Sequence, residues 1–122
     1  MFVVLYRWKV KPEKGEEFRE GWRLVTTAIQ ERDGSLGARL HQVDDNIWVA
    51  YAQWPDRESW DSAWQKGPVD EALGYHLMKG ALRRNAQSEK PFLTMKLTDD
   101  CFSSLNWDQV LHRAASTTKE GA

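Results

Sequence analysis

Apolar and polar residues alternate from Phe2 to Lys11. Phe2, Val4, Tyr6, Trp8 and Val10 fall on one side, and Val3, Leu5, Arg7 and Lys9 on the other. A period of two predicts a strand, and the apolar start of its second side predicts a fairly buried one. Pro12 and Gly15 end it. Phe18, Trp22, Val25 and Ile29 then recur at spacings of four, three and four, the stripe of an amphipathic helix. Gly34 stands where a helix C-terminal glycine belongs. Ser35 to Val43 reads as a second strand and Ile47 to Trp54 as a third. Asp44-Asp45-Asn46 is the turn between them, because such side chains bond their own backbone. Pro55-Asp56 opens a short helix to about Lys66, and Gly67-Pro68 breaks it. Pro68 suits the first turn of a new helix, with Val69, Ala72, Leu73, His76, Leu77, Gly80 and Ala81 as its apolar stripe. Pro91 to Leu97 reads as the last strand. The order β-α-β-β-α-β predicts an α+β, ferredoxin-like domain with a four-stranded antiparallel sheet over residues 1–98. Residues 99–122 form a C-terminal extension, in which Asn106 and Gln109 would cap a short amphipathic helix carrying Trp107, Val110 and Leu111.

Composition narrows the function classes. Seventeen basic and eighteen acidic residues nearly cancel, with no basic block of the nucleic-acid-binding kind. The apolar runs are too short for a membrane span. Cys101 is the only cysteine, so neither an internal disulfide nor a cysteine zinc site is expected, and the default location is cytoplasmic. No metal-spaced histidine or carboxylate set and no phosphate-binding glycine loop occurs, so no cofactor and no metal are expected. The unusual feature is tryptophan: Trp54, Trp60 and Trp64 fall within eleven residues at a strand-to-helix junction. Large rings that each carry one N–H donor suit an aromatic-walled cavity.

Val10-Lys11-Pro12-Glu13-Lys14-Gly15-Glu16-Glu17-Phe18 resembles the opening of the antibiotic biosynthesis monooxygenase domains. Gly34-Ser35-Leu36-Gly37 is similar to their glycine-led second strand, and Tyr51-Ala52-Gln53-Trp54 followed by Trp60 to their third strand and next helix. The resemblance covers residues 1 to about 98. It implies a homodimeric α+β barrel and a pocket between sheet and helices. It also implies several chemistries: cofactor-free oxygenation of aromatic polyketides, haem degradation, quinol oxidation and isomerisation. Trp54 matches the strand-end Trp of the quinone-forming branch. Ala50, Trp60 and about Gly74 stand where that branch has Asn, Tyr and Arg. In the haem-degrading pattern Tyr6 takes the place of an Asn, and Trp64 and His76 lie near the Trp and His positions but out of register.

Two functions follow as expectations. The first is a cofactor-independent monooxygenase acting with O₂ on a small aromatic phenol or hydroquinone. His76 would be its base, Trp54 and Tyr6 its hydrogen-bond donors, and Trp60, Trp64, Ala50 and Leu73 its substrate walls. An enolate-type isomerase or cyclase would need the same parts. The second is a non-catalytic ligand-binding or assembly module, in which the tryptophans simply fill the core. His76 is placed by the stripe facing the sheet. Arg7 and Arg39 are expected to form ion pairs at the dimer face or in solvent. His41 and His112 form no metal set with His76.

Overall fold

The computed structural model describes residues 1–83 and 91–102. The order is β1 (Phe2–Lys9), α1 (Gly15–Asp33), β2 (Gly37–Gln42), β3 (Ile47–Trp54), α2 (Arg57–Lys66), α3 (Ala72–Ala81) and β4 (Leu93–Lys96). The sheet is antiparallel in the order β2-β3-β1-β4, the ferredoxin-like α+β arrangement. The second helical position is split into α2 and α3. The expected helix carrying Trp107, Val110 and Leu111, with its Asn106 and Gln109 cap, lies outside the described residues. No helix among the described residues is long and apolar enough to cross a membrane.

One face of the sheet carries the core. Phe2, Val4 and Trp8 of β1 and Trp48, Ala50, Ala52 and Trp54 of β3 are buried under the helices. Phe18 of α1 is fully buried between Trp8 and Trp48, its ring centroid 5.3 Å and 5.9 Å from theirs. A second cluster joins Phe2, Val4 and Trp54, and Tyr6 touches both clusters. The strands are shorter than their apolar patterns. Val10 leaves β1 as an isolated bridge to Leu82, β2 starts at Gly37, and β4 keeps only Leu93–Lys96.

Two further expectations change. Pro68 does not start a helix. The carbonyls of Gly67 and Pro68, which would have to accept helical amides, instead accept from the Arg32 guanidinium at 2.7 and 3.1 Å. Helix α3 begins at Ala72, capped by the Glu71 carboxylate, which accepts from the Gly74 amide at 3.2 Å. Its inward face is also rolled by about one residue. Gly74 and Ala81 are buried, whereas Leu73 is 56% exposed and His76 is exposed. The cause is the crossing of α1 and α3, where Gly21 and Gly74 meet backbone to backbone. Glycine, and not Leu73, occupies the contact because only a residue without Cβ fits there.

Candidate functional site

Antiparallel register places Phe2 opposite Trp54, Val4 opposite Ala52, and Tyr6 opposite Ala50. The two small alanines leave space above the sheet beside Tyr6. Helix α2 brings Trp60 into it, and the Trp60 indole N–H donates to the Tyr6 hydroxyl at 3.2 Å. The Trp60 ring lies 5.5 Å from Phe2, and Trp64 meets it edge-on at 6.0 Å. Tyr6 itself stacks on Trp8 at 5.9 Å. Helix α2 holds its position through both ends. The Asp56 carboxylate caps its N-terminus, accepting from the Ser59 amide and hydroxyl at 2.8 and 2.7 Å. Arg32 grips its C-terminal end through the Gly67, Pro68 and Ala63 carbonyls, and is itself held by a two-point ion pair to Asp33 at 2.9 Å.

Burial pushes the Tyr6 phenol above its ordinary value, and the indole N–H groups of Trp60 and Trp64 offset only part of this. Tyr6 is therefore neutral at ordinary pH. Its oxygen already accepts from Trp60, so its own O–H proton is left to donate, and no acceptor takes it among the described residues. A neutral phenol fixed by a tryptophan is a hydrogen-bond donor toward an oxygen atom, not a base.

The structure thus brings together Tyr6, Trp54, Trp60 and Ala50 from the expected site, with Trp64 at its solvent side, 46% exposed. It does not bring in Leu73 or His76. Both lie on the outer side of α3, so the expectation that His76 faces the sheet is corrected by the α1–α3 glycine contact described above. Arg7 forms no ion pair among the described residues. Its guanidinium sits 5.0 Å above the Phe92 ring. Arg39 likewise has no carboxylate partner among them. No group of three potential metal ligands occurs among the described residues. Sequence reasoning missed Phe2 as part of the wall, though its alternation with Val4 and Tyr6 carried that signal. It also missed Arg32, for which an arginine at a helix end carries no signal.

A family model described as Antibiotic biosynthesis monooxygenase matches residues 1–72. Comparison with curated proteins finds no match. Solved structures share the fold. SnoaB from Streptomyces nogalater, a cofactor-independent oxygenase solved as its N63A mutant, superposes with a TM-score of 0.59 at 14% identity, covering 84% of this chain and 97% of its own. Rv0793 from Mycobacterium tuberculosis gives 0.58 at 16% identity, covering 83% and 98%. A conserved protein from Methanosarcina mazei Go1 gives 0.55 at 20% identity, covering 70% and 85%.

Proposed function

The chain belongs to the antibiotic biosynthesis monooxygenase family, and we propose that it is a cofactor-independent monooxygenase of a small aromatic phenol or hydroquinone bound beside Tyr6. The observation that carries this reading is the Tyr6 hydroxyl, kept protonated by burial and held by Trp60 with its proton free to donate. In such a reaction the substrate anion supplies the electrons. It reduces O₂, the two recombine at a ring carbon as a hydroperoxide, and loss of water leaves a quinone, so that phenol and O₂ become quinone and water. Tyr6 donates to the phenolate oxygen and favours the anion over the neutral phenol, a preorganised donor in a water-poor site. Trp54 and Phe2 wall the ring, and Trp60 and Trp64 stand at the solvent side.

The apolar residues packed at Tyr6 and its hydrogen-bond donor Trp60 supply no base. The substrate that fits is accordingly one acidic enough to ionise with hydrogen-bond help alone, such as a hydroquinone or an anthrone. Oxygen uptake measured over a panel of hydroquinones and anthrones tests the reading. Uptake that falls about a hundredfold in Tyr6→Phe is expected, the lower end of what one oriented donor contributes. Uptake unchanged in that variant refutes it.

One observation favours a second reading. Phe2, Val4, Trp54 and Trp60 pack directly on one another around Tyr6. A non-catalytic ligand-binding module would have this filled interior, and it would bind panel compounds without consuming O₂.

The proposal includes a homodimer. The sheet face away from the helices carries Val3, Leu5, Val49, Tyr51, Leu93 and Met95 in register across the three strands β3, β1 and β4. Leu93 and Met95 are exposed in the single chain. An apolar sheet face of this kind is stable when a second copy covers it. Sedimentation of a monomer at micromolar concentration would contradict this.

A further inference from the structure

Helix α2 is attached to the domain by little apolar surface. Trp60, Ala63 and Trp64 are its apolar positions, a stripe about one turn wide. None of its residues is buried, and only Trp60 and Ala63 pack on the Phe2, Val4 and Trp54 cluster. A helix this short is not stable alone in water, and an element with so few buried contacts opens at lower cost than the core. Yet α2 lies over the Tyr6 site. Its Trp60 fills the space that Ala50 and Ala52 leave beside the Tyr6 hydroxyl.

What holds α2 down is mostly polar. Arg32 donates to the Gly67 and Pro68 carbonyls, just past the end of α2, at 2.7 and 3.1 Å. Lys66, the last residue of α2, reaches Asp33 at 3.7 Å. The Asp33 carboxylate is only 2% exposed and belongs to the last residue of α1, the negative end of that helix dipole. A carboxylate is disfavoured there unless cations meet it. The two that do, Arg32 and Lys66, are the two that tie α2 to α1. Asp33 thereby fixes the Arg32 fork toward the α2 end. The Arg32 side chain is 31% exposed, so water can compete for its carbonyl bonds. The chain leaves α2 through Gly67, at φ 77° with nothing within 4 Å of its Cβ position, a free turning point for a hinge.

We propose that α2 is a lid over the Tyr6 site and that Arg32 is the latch that times its opening. Arg32 touches nothing at Tyr6, so it is a positioning residue. It sets how often Trp60 withdraws and a ligand passes. What enters rests on the Tyr6 reading; the motion of the lid does not.

Amide exchange of the full chain at several low urea concentrations tests the lid with no ligand present. The amides of Ala63, Trp64 and Gln65 are expected to exchange through an opening that urea hardly changes, whereas those of β1 and β3 follow urea steeply, as global unfolding does. Arg32→Gln should speed the α2 amides at least tenfold, the usual loss of one charge-assisted bond. Arg32→Lys, which keeps the charge beside Asp33 but not the fork, should fall between. Asp61→Asn, which breaks only the exposed Arg57–Asp61 pair at 3.6 Å, should stay within about twofold. Stopped-flow quenching of tryptophan fluorescence by 2-naphthol tests the gate. Arg32→Gln should raise the association and dissociation rates together, each about tenfold, with their ratio nearly unchanged, because the latch is the same with the site empty or filled. A merely structural arginine would change affinity and leave association alone. Alpha-2 amides that follow urea as steeply as the sheet, or that ignore Arg32→Gln, overturn the lid. Association unchanged in Arg32→Gln overturns the gate. Naphthol that fails to bind, or binds equally to Tyr6→Phe, refutes the Tyr6 reading instead, and the exchange result then decides the lid alone.

Discussion

Replacing Gly21 by alanine tests the helix contact that decides which face α3 turns inward. A Cβ at Gly21 would lie 2.6 Å from the Gly74 carbonyl oxygen, 2.9 Å from Met78 Cγ and 3.0 Å from Leu77 Cβ. Ordinary carbon–oxygen contacts are near ~3.3 Å, so the first of these is short by roughly 0.7 Å. Met78 can change rotamer. The Gly74 carbonyl belongs to a helix backbone and can move only if α3 moves with it. Overpacking of this kind costs about 1–3 kcal/mol, and the backbone clash places Gly21→Ala at the upper end. Removing a glycine from a helix interior offsets about 1 kcal/mol of it. The net expectation is a loss of about 1–2 kcal/mol, or roughly 4–10 °C in Tm for a chain of this size. Gly80→Ala on the same pair of helices is the control. Nothing lies within 4 Å of its Cβ position, so it should stabilise by about 0.5–1 kcal/mol. Urea unfolding followed by circular dichroism at one fixed protein concentration measures both. If Gly21→Ala is as stable as the parent while Gly80→Ala behaves as expected, the helices do not approach this closely. The explanation for the outward position of His76 then fails with it.

Tyr6 should govern part of the alkaline stability. Its folded value lies above the ordinary 10.0, so the unfolded chain loses this proton first. The stabilisation is intact below about pH 10 and is lost as pH rises through the folded value. Tyr6→Phe should flatten that fall in urea melts taken across pH, and parallel slopes would sink the idea. Asp56 works in the opposite sense. Its bonds from Ser59 hold its carboxyl below the usual carboxylate range, so its contribution is present above about pH 4 and is lost as pH falls through the folded value. Asp56→Ala should remove that acid-side loss and speed amide exchange at Ser59 at neutral pH; unchanged exchange there would show that the cap is idle. His76→Ala should leave turnover of any substrate found by oxygen uptake within about twofold of the parent. A fall of about a hundredfold, the lower range for a lost general base, would restore His76 to the reaction and displace the reading centred on Tyr6.

The strands and α1 were legible because their periods are carried by large side chains with no competing choice. Phe2, Val4, Tyr6 and Trp8 can share a face only in a strand, and Phe18, Trp22 and Val25 only on a helix. Gly34 ends α1 in the left-handed conformation its position suggested, with φ of 72°. Helix α3 was legible in existence but not in phase. Its sequence offers two overlapping apolar stripes, one adding Leu73 and His76 and the other Gly74 and Met78, with Leu77 and Ala81 common to both. The choice between them is made by Gly21, more than fifty residues away. Hydrophobicity favours Leu73, whereas close packing favours Gly74, and packing prevails. The aromatic half of the site was readable for the same reason as the strands. The Trp60–Tyr6 hydrogen bond was not, because it depends on where α2 settles, and that is fixed by Arg32 reaching across from the end of α1 to the Gly67 and Pro68 carbonyls.

The position of β1 has a consequence for synthesis. It lies between β3 and β4, so one of its edges is closed only by Leu93–Lys96. The 42 residues between Trp54 and Lys96, translated at the usual pace, take roughly 2–8 s. For that interval Phe2, Val3, Val4 and Leu5 present an unpaired apolar edge, a template for pairing with another nascent chain. Its long-range pairing makes the domain a slow folder for its length. Chains cut before Leu93 should enter the insoluble fraction even though they carry Trp8, Trp48 and Trp54, the buried tryptophans of the described residues.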